Sequence, residues 1–233
     1  MPCILHIETS TTICSVAVSE QGQLIFEKSS FEGPSHAALL GVFVEEALVL
    51  LKEMHRTPDA IAVSSGPGSY TGLRIGVSMA KGLGFGYGIP LIAIPTLEIL
   101  ASKAIRFIQG PEGSLYIPML DARRMEVYAA IYDRDMQPVR ETQADIVTVD
   151  TYTDFLTGHP VYFFGNGAAK CKEIIGFPAA FFIDQVDPLA TDMIGLAEKA
   201  YHAGDFEDTA YFEPFYLKEF VATVAKNKVL GNS

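Results

Sequence analysis

Cysteine is scarce in this chain of 233 residues: Cys3, Cys14 and Cys171 are the only three. An odd number without metal-type spacing excludes a disulfide framework and a zinc site, and leaves buried free thiols as the expectation. Positive charge is scarce as well. Seventeen Lys and Arg face 28 Asp and Glu, a net charge of −11, whereas nucleic-acid binding rests on cations neutralising phosphates. No basic cluster stands out, and Lys218, Lys226 and Lys228 near the C-terminus are sparse. Strong binding of nucleic acid by the chain alone is therefore not expected; a partner would supply the basic surface. No apolar run is long enough to span a bilayer, and residues 1–20 lack the basic start and apolar middle of a signal peptide. A cytoplasmic protein without membrane contact is expected. The five histidines, His6, His36, His55, His159 and His202, contain no i,i+4 pair for a helical metal site. There is no Gly-x-Ser-x-Gly elbow, and Ser35 and Ser69 have no visible base. His36, at a helix start, is expected to be solvated. Nothing points to hydrolysis.

What is present suffices for a full core, with 49% hydrophobic and 19% charged residues. Residues 3–7, 13–19 and 23–30 read as an antiparallel meander joined by turn-rich segments. A helix follows to about Met54, with Ser35 as its expected N-cap. Its apolar residues, Leu39, Leu40, Phe43, Val44, Ala47, Leu48, Leu50, Leu51 and Met54, cover far more than one face, so it must be covered on two sides. A strand at 60–65, a helix at about 70–86, a strand at 90–95 and a helix at 96–106 come next. The order then repeats: strands at 115–120, 126–132 and about 137–149, a short helix near 151–157, a strand at 161–164, a helix at about 167–175, a strand at 180–183 and a helix at 189–203. The doubling predicts an α/β protein of two similar β-β-β-α-β-α lobes, the actin-like, sugar-kinase-like (ASKHA) architecture. The expected lobes are 1–106 and 107–220, with the last helix, 189–203, returning to the first lobe and 221–233 a flexible tail.

Ser64 to Gly76 carry the densest signal. Small residues recur every fourth position, Gly72, Gly76, Ala80 and Gly84, although a helical glycine costs about 1 kcal/mol relative to alanine. The compensation expected is close approach of another backbone. The turn has G-x-G-x-x-x-G spacing, but it follows a meander rather than a first β-α-β strand, and no acid closes the strand near Ile94. Leu73-Arg74 after Gly72 also departs from a Walker A loop. Nucleotide binding by this turn is disfavoured. A cleft between the lobes would draw on Glu8 and Ser10 in the first hairpin, Asp121 opening the second lobe, and Gly165 and Gly167 in a glycine turn. Each has an ordinary turn-forming alternative, so they form at most a vestigial nucleotide cleft. The rival expectation is an autonomous nucleotide-dependent phosphotransferase using those residues.

The run Gly66-Pro-Gly-Ser-Tyr-Thr-Gly-Leu-Arg-Ile-Gly76, with Ile4 to Ser10, Pro95 to Glu98 and Asp121 to Tyr128, resembles the TsaB (YeaZ) family over most of residues 2–220. The resemblance implies an actin-like fold and a non-catalytic dimerisation subunit in threonylcarbamoylation of adenosine beside the anticodon of tRNAs reading ANN codons. Implied partners are the catalytic paralogue TsaD, the ATPase TsaE and a second copy. The implied contact runs through the first two helices: Leu39, Phe43, Ala47 and Leu50 on one, Gly72, Arg74, Gly76, Ala80 and Gly84 on the other. A Gly76→Leu change is then expected to abolish pairing. Thr96 and Leu100 stand where TsaD carries the histidines of its metal site, so no metal is implied. Nor is a firmly held cofactor, with ATP or ADP entering only at a partner interface. These residues give no support to a protease.

Overall fold

The computed structural model of the chain describes residues 2–33 and 35–217; the expected tail at 221–233 lies outside the described residues. Strands β1 (Cys3–Glu8), β2 (Cys14–Glu20) and β3 (Gln23–Ser30) form the first meander, followed by helix α1 (His36–Glu53), β4 (Ala60–Gly66), α2 (Tyr70–Tyr87), β5 (Leu91–Pro95) and α3 (Thr96–Phe107). The second set is β6 (Leu115–Asp121), β7 (Glu126–Tyr132), β8 (Pro138–Ile146), α4 (Thr153–Leu156), β9 (Val161–Phe164) and β10 (Ala180–Ile183). Helix α5 (Ile194–Ala203) closes it. The sheets are ordered β3-β2-β1-β4-β5 and β10-β9-β6-β7-β8. These are one topology used twice, an actin-like α/β fold. In each, an antiparallel meander is extended by parallel strands.

Strand β1 is buried along its length, and its alternation assigns two cores. Cys3, Leu5 and Ile7 pack with Leu40, Phe43, Val44 and Ala47 of α1 and Val77 and Ala80 of α2. Ile4, on the other face, packs with Ile92, Ile94, Met193 and Ala197, so α5 lies on the first sheet. Helix α3 is shared. Ile99 joins that first-sheet core, while Leu97, Leu100, Ala101 and Ala104 pack against Tyr116, Leu120 and Phe164 of the second sheet. Burial of a leucine contributes about 2 kcal/mol, so α3 holds the lobes together by packing on both.

The helix expected at about 167–175 is only a 3-10 turn at Ala169–Cys171. Glycines at 165, 167 and 176 leave too short an interval to nucleate a stable helix. Ser35 precedes α1 but makes no side-chain cap; its hydroxyl donates to Gly33 O at 3.2 Å instead. The three cysteines are free and buried.

Candidate functional site

The turn between β4 and α2 is built against the loop after β1. Ser69 caps α2, its hydroxyl accepting from Gly72 N at 3.2 Å. Ser69 N donates to Ser10 O at 2.6 Å, and Thr9 Oγ1 donates to Gly72 O at 2.9 Å. A Cβ at Gly68 would overlap Ser10 O, at Gly72 it would overlap Thr9 O, and at Gly76 Thr9 Oγ1. The backbone that approaches the bared ridge is therefore the chain's own. Gly72, Gly76, Ala80 and Gly84 are all buried, Gly84 facing Ile89 O and Thr209. The ridge does not offer the outward surface expected of it, because a helix without side chains on one stripe settles closest to the nearest sheet edge and loop. Phe43 and Ala47 of α1 are likewise buried in the core. Of the expected contact residues, Arg74 is exposed and Leu39 and Leu50 are half-buried.

The cleft residues separate in the same way. Glu8 is fully buried, and Oε1 accepts from Ser10 N at 2.6 Å. Burial pushes its carboxyl up to about 7, with hydrogen bonding from Ser10 and Ser64 opposing and the negative charge of Asp192 adding slightly. A carboxyl poised near neutrality can exchange a proton, but this one is sealed and acts on the fold. Ser10 is buried too. Asp121 is exposed and paired with Lys170. Its backbone N–H donates to Asn166 Oδ1 at 2.8 Å, and its carboxylate accepts from Arg123 N at 2.9 Å. A Cβ at Gly165 would overlap Met119 O, and one at Gly167 would lie 2.8 Å from the Leu120 carbonyl carbon. These glycines let the turn sit on β6. Thr96 and Leu100 are fully buried in α3. Among the described residues, no group of three His, Cys, Asp or Glu could hold a metal ion. His36, expected in solvent, is buried and meets Thr11 O at 2.8 Å, because α1 begins against the β1–β2 loop.

An outward face remains on α1 and α2. Val42, Glu45 and Val49 of α1 and Arg74, Ser78 and Gly82 of α2 are exposed, with Leu48, Ile75, Met79 and Leu83 half-buried beside them. A groove of about 830 Å³, lined by Leu48, Val49, Met79 and Tyr87 among others, lies between the helices. A Cβ at Gly82 or Gly86 would meet nothing. Sequence reasoning missed this second stripe, Ser78, Gly82 and Gly86, although it repeats at the same four-residue interval.

The segment after α5 was also missed. Glu207 N bonds Leu91 O at 2.8 Å, Lys81 Nζ donates to Ala210 O and Phe212 O at 3.1 and 2.8 Å, and Phe215 N donates to Ser65 O at 2.7 Å. Residues 207–216 thus run as a strap along α2 to its N-terminal turn, where the Tyr216 and Tyr70 rings lie 4.8 Å apart.

Comparison with known proteins places this arrangement. A family model described as TsaD, tRNA N6-adenosine threonylcarbamoyltransferase, matches residues 32–226. The tRNA threonylcarbamoyladenosine biosynthesis protein TsaB of Escherichia coli is 30% identical over 229 residues, covering 94% of this chain and 96% of that protein. Its Bacillus subtilis namesake is 31% identical over 178 residues, 74% of each chain. Two solved structures from Pseudomonas aeruginosa are 28% identical. One, described as an uncharacterized protein similar to peptidase YEAZ, has a TM-score of 0.78 over 94% of this chain and 100% of that one. The other, YeaZ, has a TM-score of 0.73 over 93% and 100%.

Proposed function

The chain belongs to the TsaB family, whose name is tRNA threonylcarbamoyladenosine biosynthesis, and we propose from that premise that it serves as the pathway's non-catalytic scaffold. It pairs with TsaD, or with a second copy, through the outward faces of α1 and α2, and the pair supports recruitment of TsaE. One observation carries the proposal: the two helices share an apolar face with an unfilled groove, and Gly82 is bare toward open space. Glycine at an exposed helical site costs about 1 kcal/mol relative to alanine and has no use within this chain. It has one if another helix lies across it. The role needs no bound cofactor; ATP or ADP would enter only at a joint surface with a partner.

The contact is tested with Gly82→Leu rather than Gly76→Leu, since a side chain at Gly76 would disrupt the fold against Thr9. The Gly82 variant should melt like the parent. Its capture of TsaD and its self-association by sedimentation should both weaken at least about tenfold, as at a packed interface centre. A variant that captures TsaD like the parent sinks this assignment of the interface. Turnover of ATP or transfer of threonylcarbamoyl to tRNA by the isolated chain would sink the scaffold role.

A further inference from the structure

The hairpin joining β6 and β7 has a tip that the scaffold role leaves unused. Arg123 and Arg124 are adjacent, exposed, and both in the left-handed backbone region, with φ of 71° and 49°. Residues other than Gly, Asn and Asp seldom enter that region, and two in succession are rarer. Neighbouring groups hold them there. Lys170 Nζ, on the 3-10 turn, donates to Arg124 O at 2.8 Å and Glu126 O at 2.6 Å and pairs with Asp121. Asp121 accepts from Arg123 N, and Asn166 accepts from Asp121 N. The acid and glycine turn that sequence suggested as a nucleotide cleft therefore act as a brace. The brace uses the cation of Lys170 and the carboxylate of Asp121 on each other. Neither guanidinium has a partner among the described residues.

We propose that this tip is a contact for the phosphate backbone of RNA, made by Arg123 and Arg124 and positioned by Lys170 and Asp121. The proposal rests on the family's work on tRNA. Guanidinium forks match phosphate oxygens in bidentate pairs. A protein partner fits less well, because a protein contact is anchored by buried apolar or aromatic groups. Among the described residues, none of the exposed large hydrophobic side chains lies within 121–126 or 165–173. The net charge of −11 does not forbid a local contact. At 0.1 M salt, charges beyond about 10 Å are largely screened. It does keep the contact weak in the isolated chain and salt-sensitive. Of the exposed acids near the tip in sequence, Asp121 is paired with Lys170, and Glu173 on the supporting turn stands next to the exposed Lys172.

The test is fluorescence anisotropy of the full chain with an unmodified tRNA transcript across a salt series. The paired variant Arg123→Asn with Arg124→Gly suits a turn with two positive φ values, so it should melt no lower than the parent. It should bind tRNA about tenfold more weakly at low salt, and the slope of log affinity against log salt should shrink by about two. Arg123→Lys with Arg124→Lys should restore most of the affinity. Equal binding by the Asn-Gly variant, or no tRNA binding by the parent at low salt, overturns the proposal. So does unchanged RNA binding with lost capture of TsaD, which would give the arginines to a protein. Capture of TsaD by the Asn-Gly variant should otherwise match the parent, which separates this contact from the α1–α2 face.

Discussion

Glu8 shows how one buried group links the fold to pH. Its carboxyl titrates near 7 in the folded chain against an ordinary 4.5. The unfolded chain thus releases this proton at lower pH than the folded one. The stabilisation is complete below about 4.5 and declines as pH rises toward 7. The decline amounts to about 3 kcal/mol at most. Glu8→Gln keeps an acceptor for Ser10 N and removes the titration. Urea unfolding should therefore find the variant more stable than the parent at pH 8 and flatter between pH 5 and 8. Parallel profiles for the two proteins would show that Glu8 does not set the slope. At this scale the sequence offered Glu8 and Ser10 only as part of a vestigial cleft or a polar turn, and did not tell what they touch: both are buried, and Glu8 accepts from Ser10 N. A carboxylate in a turn-rich loop reads as solvated until the strands on either side of it are known.

The strap and α2 behave as one element. Lys81 is half-buried and reaches two carbonyls 129 and 131 residues away, and Thr209 sits beside Gly84. Lys81→Met removes both bonds. Charge-assisted hydrogen bonds contribute about 2 kcal/mol each when desolvated, and less here because solvent screens the ammonium group. Hydrogen exchange should accelerate at the amides of 207–216, that of Phe215 above all, with α2 itself still protected. Unchanged exchange in the strap would mean that Phe212 and the Glu207 bridge hold it without Lys81. Helices α1, α2, α3 and α5 were legible in the sequence because helical periodicity is a local signal, reinforced by a terminating glycine at Gly88 after α2 and Gly204 after α5. The strap has neither: its hydrogen bonds go to partners far along the chain, and nothing in residues 205–217 declares them. The glycine stripe was legible as a demand for close approach. Its direction was not, since a period fixes which residues share a face and leaves open what that face meets.

For the whole molecule, Asp192 ties the segment before α5, which lies on the first sheet, to α3, the helix that packs on both sheets. Its buried carboxylate pairs with Lys103 at 3.1 Å and Arg106 at 2.5 Å, both on α3, and accepts from Leu189 N at 3.1 Å. Lys103 also donates to Asp187 O at 2.8 Å on the chain returning from the second sheet. Asp192→Asn removes both ion pairs while keeping the side chain's shape. Loss of a buried pair costs several kcal/mol, reduced to about 2 here because Arg106 is more than half exposed. The urea midpoint should fall, and the slope of the transition with it if the lobes then unfold separately. An unchanged midpoint would leave apolar packing of α3 as the whole of the coupling. Sequence alone determined the repeated order of elements, except the helix expected at about 167–175, and with it the excess of acid, the free thiols and the family, because periodicity, composition and motif are properties of the chain. Tertiary structure decided that the Gly72–Gly84 ridge turns inward onto Thr9, which leaves Gly82 outward, and that Lys170 joins Asp121 in bracing two arginines. The ridge contact and the Lys170 brace each join residues far apart in sequence, and burial exists only once both partners are in place.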